Sequence, residues 1–359
     1  CIGVAGREGF GRSMTPAAAP TTPIEKLDPN AAWRHPDFVL FQSSRIFSIV
    51  ASQMTGVVVG AQVYNMTRNP LDPGFIGLSL FLPMFGLSPL TGFVADRYDR
   101  RTVVSICQFG IFVSASLLCL LSILRVSTPY PIFAVLVLQG ISRAFWGPSA
   151  QGLLPLLVPQ KTLQNAIVWN STIFQFGTII GPGIGGLMLT LTSTTTREHP
   201  EIVYGIAAVM MLAAAFCVRK MKIRAGALEK EAISWNTLVA GVKFIFERKI
   251  VLGAMSLDLF AVLLAGSVAL LPAFAKDILG VGSWGLGILR GSMGIGAGVT
   301  ALAMAFAPPL KNPGRLMFLC VAGFGLCTVI FGLSKFFALS VAALVLMGAF
   351  DMISVVIRQ

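Results

Sequence analysis

Residues 102–124 read TVVSICQFGIFVSASLLCLLSIL, 23 positions without one charged side chain. At about 1.5 Å per residue, a helix of that length covers roughly 34 Å, enough to cross the ~30 Å hydrocarbon layer of a bilayer. Lipid offers the backbone no hydrogen-bond partner, so such a run must satisfy its own N–H and C=O groups as a helix. Working outward, the pattern recurs, and ten spans are expected: about Phe38–Tyr64, Gly74–Ala95, Thr102–Leu124, Tyr130–Leu153, Asn165–Leu191, Ile202–Val218, Val251–Leu279, Trp284–Ala307, Leu316–Leu333 and Phe336–Ile357. The composition of the 359 residues agrees, with 55% hydrophobic and 12% charged residues and a mean hydropathy of +0.80. That is about half the charged share of a soluble domain. It is also more apolar side chain than one globular core can hide, so the surface must face lipid. The expected fold class is an all-α, polytopic membrane protein.

The chain carries 27 Lys and Arg against 15 Asp and Glu, for a net charge of +12. A nucleic-acid partner would require that charge along one soluble face. Instead it falls in short gaps between apolar runs, the pattern that orients membrane proteins. With the N-terminus in the cytoplasm, 19 basic residues fall in cytoplasmic segments and 5 outside (Arg68, Arg125, Arg197, Lys276 and Lys335). That bias predicts an N-in orientation. Residues 1–37, rich in Ala, Pro and Thr, hold no apolar core of signal-peptide length and are expected to form a disordered cytoplasmic tail, with Met14 as the translation start. The longest polar interval, residues 220–250, separates a six-span unit, 38–219, from a second unit, 251–359. Within it Trp235, Leu238, Val239, Val242 and Phe246 recur at helical spacing, which fits either a basic helix lying in the interface or an ordinary linker helix.

The first cytoplasmic loop reads Gly92-Phe93-Val94-Ala95-Asp96-Arg97-Tyr98-Asp99-Arg100-Arg101. A glycine allows two helices to approach, Asp96 suits a helix terminus or an arginine partner, and the basic cluster stays cytoplasmic. In the fifth span, Gly177, Gly181, Pro182, Gly185 and Gly186 combine a small-residue packing face with a proline that bends the helix. The first stretch resembles the loop signature of the major facilitator superfamily, departing at Asp99, where the general pattern has glycine. Its form is similar to the branch containing the enterobactin exporter and macrolide efflux proteins. The second resembles the superfamily's antiporter signature, with Val168 in place of an upstream glycine. Residues 148–159 and Leu270-Leu271-Pro272-Ala273-Phe274-Ala275 extend the likeness to that branch over about Phe38–Gln359. The superfamily's fourth-span arginine is replaced by Leu136, while Arg143 stands four residues after Gln139.

The resemblance implies two six-helix bundles and twelve spans, so ten imply a C-terminal bundle truncated after its fourth span. It further implies that spans one, four, seven and ten line a central cavity. Five ionisable residues lie within spans: Arg45, Arg143, Arg290, Asp258 and Asp351. Each is costly in hydrocarbon and should face protein or water. Arg45, Arg143, Asp258 and Asp351 share one depth, about 10 Å from the cytoplasmic end at ~1.5 Å per residue, whereas Arg290 lies nearer the outer surface. The first four are therefore expected to meet as an inner gate; the simpler alternative is arginines that snorkel and aspartates that serve local packing.

Other chemistry is sparse. There is no Gly-Lys pair and so no Walker A loop, and His35 and His199 lack metal-ligand spacing, so no metal or cofactor is expected. The Gly294-Ile295-Gly296-Ala297-Gly298 run sits in an apolar span and reads as helix packing rather than a dinucleotide loop. Cys107, Cys119, Cys217, Cys320 and Cys327 read as buried thiols. The resemblance implies a non-enzymatic secondary transporter of the bacterial cytoplasmic membrane, monomeric, with the lipid bilayer, a small-molecule substrate and protons as partners. A siderophore-type substrate is expected, with a multidrug, macrolide or lysophospholipid exporter as the alternative. A membrane-embedded enzyme or lipid scramblase is the reading from a different class.

Overall fold

The computed structural model describes residues 31–193, 198–222, 253, 256, 267–305 and 313–358. Among them the ordered elements are all helical. A 3₁₀ turn, Ala31–Arg34, leads into α1 (Pro36–Thr67), followed by α2 (Asp72–Arg97), α3 (Arg100–Ile123), α4 (Tyr130–Leu157), α5 (Gln160–Thr192) and α6 (Pro200–Lys220). After the interval come α7 (Ser267–Ala273), prolonged by a π-helical stretch Phe274–Ile278, then α8 (Gly282–Ala305), α9 (Pro313–Leu333) and α10 (Phe337–Arg358). The expected interfacial helix at Trp235–Phe246, the tail before residue 31, and Asp258 lie outside the described residues.

Helix ends follow local chemistry. Pro36 opens α1 at a position where its missing N–H costs nothing. Arg68 closes α1 in the left-handed region, with φ 54°, returning its N–H to the Tyr64 carbonyl. Asp99, the departure from the superfamily's glycine, is the N-cap of α3: its carboxylate accepts from the Arg101 N–H at 3.3 Å and from the Thr102 hydroxyl at 2.8 Å. α4 runs on to Leu157 and α5 starts at Gln160, both beyond the expected span limits. Nothing breaks the helical backbone there until Val158, which Pro159 forces into an extended conformation.

Among the described residues, seven helices (α1, α3, α5, α6, α8, α9 and α10) are long and apolar enough to cross a membrane. α4 is interrupted by Gln139, Arg143 and Gln151, and α7 is described only from Ser267. Large apolar side chains stand exposed all around the bundle, among them Phe85, Phe109, Val209, Leu302 and Phe318, as a surface in contact with lipid requires. α1 is the most enclosed span and α9 the most exposed. α1 packs on α5 and α6, α3 on α4 and α6, and α2 on α4; α10 packs on α8 and α9. The main contact between the two groups is α5 against α8. A buried cluster joins them, with Val57, Val58, Leu136 and Tyr204 on one side and Leu271, Leu289, Leu344 and Met347 on the other. Cys107, Cys320 and Cys327 are buried, as expected; Cys119 and Cys217 are only partly so.

Candidate functional site

Three places combine polar chemistry with close packing: the loop between α2 and α3, the α5 seam, and a line of charges through the middle of the bundle.

In the loop, Arg100 donates from Nη1 to the Gly152 carbonyl at 2.7 Å and from Nε to the Ala95 carbonyl at 3.1 Å. Arg101 donates to the Arg219 carbonyl at 2.7 Å, and Arg97 lies over the Phe93 ring. Arg100 and Arg101 thus tie the start of α3 to the carboxyl-terminal parts of α4 and α6, and the Ala95 and Arg219 carbonyls are among those a helix end leaves open. Asp96 stands in the last turn of α2, and its side chain lies outside what is described. A side chain at Gly92 would meet nothing within 4 Å, so the close helix approach expected there does not occur. At Gly152 the bare backbone is covered instead by the Arg100 guanidinium.

The α5 seam is built from bare backbone. A Cβ on Gly177 would lie 2.5 Å from Ile49, on Gly181 2.6 Å from Gln53, and on Gly185 2.8 Å from the Met54 Cα, so one face of α5 seats on α1. The next face carries Gly186, whose Cβ would come 2.5 Å from the Ser283 carbonyl oxygen and 2.9 Å from the Gly287 Cα on α8. The Pro182 carbonyl stands 2.7 Å from where a Gly287 Cβ would sit. Gly294 and Gly298 of α8 rest against Ile179, and Gly296 against Val345 and Ala349 of α10. The glycines of residues 294–298 are therefore contact points between helices.

The third place runs along α1. Ser44, Ser48, Ser52, Gly56 and Gly60 recur every fourth position and share one side of the helix. Gln108 donates to the hydroxyls of Ser44 and Ser48 at 2.7 and 3.0 Å. Arg45 is 8% exposed, with its guanidinium over Phe41 and Trp146 at 5.9 and 5.7 Å. Arg143 and Trp146 line a cavity of about 190 Å³ with Ser48, Ser52, Gln53, Phe174 and Thr178. Arg290, set apart from the site in the sequence, reaches across from α8 and donates to the Gly56 carbonyl at 2.6 Å. A Cβ on Gly56 would stand 3.4 Å from Nη2, an ordinary contact. Asp351 is half-buried on α10, and among the described residues no ion pair joins Arg45 or Arg143 to an acid.

A further network, not singled out in the sequence, closes the end of the bundle opposite the α2–α3 loop. Asn65 donates to Glu198 at 2.7 Å, and Ser283 of α8 donates to the other oxygen of the same carboxylate at 2.7 Å. Lys276 bonds Asn65, and the Tyr64 hydroxyl bonds Asp277. Asn65, Glu198, Lys276 and Ser283 border a cavity of about 620 Å³. The signal available beforehand was positional: polar side chains stand at the ends of the first, seventh and eighth spans and in the connection between the fifth and sixth.

A family model described as transmembrane secretion effector matches residues 28–356. The enterobactin exporters EntS of Shigella boydii serotype 18 and of Escherichia coli O1:K1 are each 27% identical over 327 residues, covering 89% of this chain and 75% of theirs. Among solved structures, the D-xylose–proton symporter superposes with a TM-score of 0.66 at 13% identity, covering 88% of this chain and 79% of that one. A bacterial homologue of the iron transporter ferroportin, in its inward-facing state, gives 0.64 at 14% identity, covering 90% and 83%.

Proposed function

The chain belongs to the transmembrane secretion effector family of the major facilitator superfamily, and from that premise we propose that it is a proton-driven antiporter exporting a small organic molecule, such as a siderophore, from a bacterial cytoplasm. The reading makes it a monomer with no catalytic step and no cofactor. It divides the chain into the bundle of residues 38–219, the basic connection 220–250, and a second bundle, 251–359.

The observation that carries the reading is the junction at the end opposite the α2–α3 loop, where Glu198 bonds Asn65 of α1 and Ser283 of α8 together. With the N-terminus in the cytoplasm, as the distribution of basic residues argues, that end is the outer one. A molecule held shut outside is disposed to load from the cytoplasm, the first half of an export cycle.

Asp258 and Asp351 serve as the proton carriers in this reading, and with Arg45 and Arg143 they form the inner gate. The pairs are made when the cytoplasmic mouth shuts and are parted when the outer end is shut. Protonating an aspartate weakens its pair and favours return to the cytoplasm-open state, which lets inward proton flow reset the exporter.

The test uses everted membrane vesicles with the chain expressed in them. Acidifying the lumen should drive uptake of a catecholate siderophore, and a protonophore should abolish it. Uptake that proceeds unchanged with the proton gradient collapsed would overturn proton coupling. Uptake of none of a siderophore, a macrolide or a lysophospholipid would overturn the exporter reading.

A further inference from the structure

Arg45, Arg143 and Arg290 place three guanidinium groups in the interior, and among the described residues none has an acid within ion-pairing distance. Buried cations without partners are costly, and buried donors are ordinarily bonded. Yet the Nε of Arg45, a side chain more than nine-tenths buried, and the indole N–H of Trp146 have no acceptor. Trp146 carries the Arg45 guanidinium on its ring and lines the same cavity as Arg143. Arg290 bonds the Gly56 carbonyl, one turn along α1 from Gln53 of the cavity wall, and lies close enough to Arg143 for the two charges to act on one another. Gln108 Oε1, beside Ser48, is likewise unmet, but the charged groups here are all cations. What they lack is an acceptor bearing negative charge.

We propose that this cavity seats the anionic head of the exported molecule, an aromatic carboxylate or phenolate held by Arg143 and flanked by Arg45, with its ring against Trp146 and Phe174. The proposal rests on the exporter reading and names its substrate class. At about 190 Å³ the cavity is smaller than the roughly 300–1,000 Å³ that encloses a drug-sized ligand. It therefore holds one ring and its charge rather than a whole large molecule. Guanidinium geometry suits a carboxylate, and an aromatic wall adds stacking that an aliphatic anion would forgo. Arg290 is held only by a neutral carbonyl and is available to the same charge.

The test is calorimetric binding to the full chain in lipid nanodiscs, with salicylate as probe and benzamide and benzylamine as its neutral and cationic counterparts. Salicylate should bind about tenfold or more tightly than benzamide, and benzylamine should not bind. Arg143→Gln should weaken salicylate about tenfold, while Arg143→Lys keeps part of the affinity at an unchanged melting temperature. Equal affinities for salicylate and benzamide in the unaltered chain, or preference for benzylamine, would overturn the anion seat without recourse to any variant. Binding is read without transport, so the two readings fail separately. Salicylate binding with no export of any solute refutes the exporter, and export of organic cations with no salicylate binding refutes the seat.

Discussion

Replacing Gly186 by alanine puts one methyl group where the structure has no room for it. The new Cβ would lie 2.5 Å from the Ser283 oxygen and 2.9 Å from the Gly287 Cα, against an ordinary contact of 3.4 Å or more. Both obstacles are main chain, so no side chain is free to turn aside, and α5 and α8 must part by close to 1 Å. Overpacking of this kind costs about 1–3 kcal/mol. Because the contact joins the two groups of helices, the cost falls on the closed arrangement, and the open population should rise about 5- to 150-fold. The assay is the labelling rate of a cysteine at Thr190, which borders the cavity at that end, with a membrane-impermeant maleimide. Gly183→Ala supplies the control on the same helix, since its Cβ would meet nothing within 4 Å. The Gly186 variant should label at least about fivefold faster than the Gly183 variant. Equal rates and equal melting temperatures for the two would refute the claim that α5 meets α8 through bare backbone.

Three further outcomes are expected. Single cysteines at Ser193 and Lys222 should label from opposite sides of the membrane, and labelling of both from outside would rule out the N-in orientation. Glu198→Gln lets the amide accept from Asn65 and donate to the Ser283 hydroxyl but removes the charge behind both bonds, so about 1–2 kcal/mol should be lost and Thr190 labelling should rise roughly tenfold; an unchanged rate would show that the junction is not a latch. Double-mutant cycles between Arg45 or Arg143 and Asp258 or Asp351, read by distance probes at the α4 and α10 ends, should give non-zero coupling for at least one pair, and zero coupling for all four would dispose of the inner gate.

Hydropathy made the helices legible because lipid imposes a length and an apolar face on every span, and the limits read from Thr102–Leu124 differ from α3 by no more than two residues. The glycines at 177, 181 and 185 could be read as a packing face for the same reason: four-residue spacing aligns them on one side of a helix. Their partners could not be read, since Ile49, Gln53 and Met54 carry no mark of being opposite a glycine. Arg290 shows the limit most plainly. Its acceptor is a backbone carbonyl, which every residue possesses, so nothing in the sequence marks Gly56 as the partner. The outer network escaped notice because Asn65, Glu198, Lys276 and Ser283 each look like ordinary span-end polarity; their meaning lies in converging from four separate stretches of chain.

The position of the Gly186–Gly287 contact along α5 has a mechanical consequence. About 26 residues separate it from Gln160 and about 6 from Thr192, so at ~1.5 Å each the two arms of the helix measure roughly 39 and 9 Å. A rotation of about 10° about the level of that contact, with the two backbones parting slightly there, sweeps the Gln160 tip through roughly 7 Å but the Thr192 tip through only about 1.5 Å. The short arm travels far enough to snap hydrogen bonds of 2.7 Å such as those of Glu198, and little farther. Lever geometry alone therefore makes the two mouths unequal: a broad one that opens by displacement, and a narrow one that opens by unfastening.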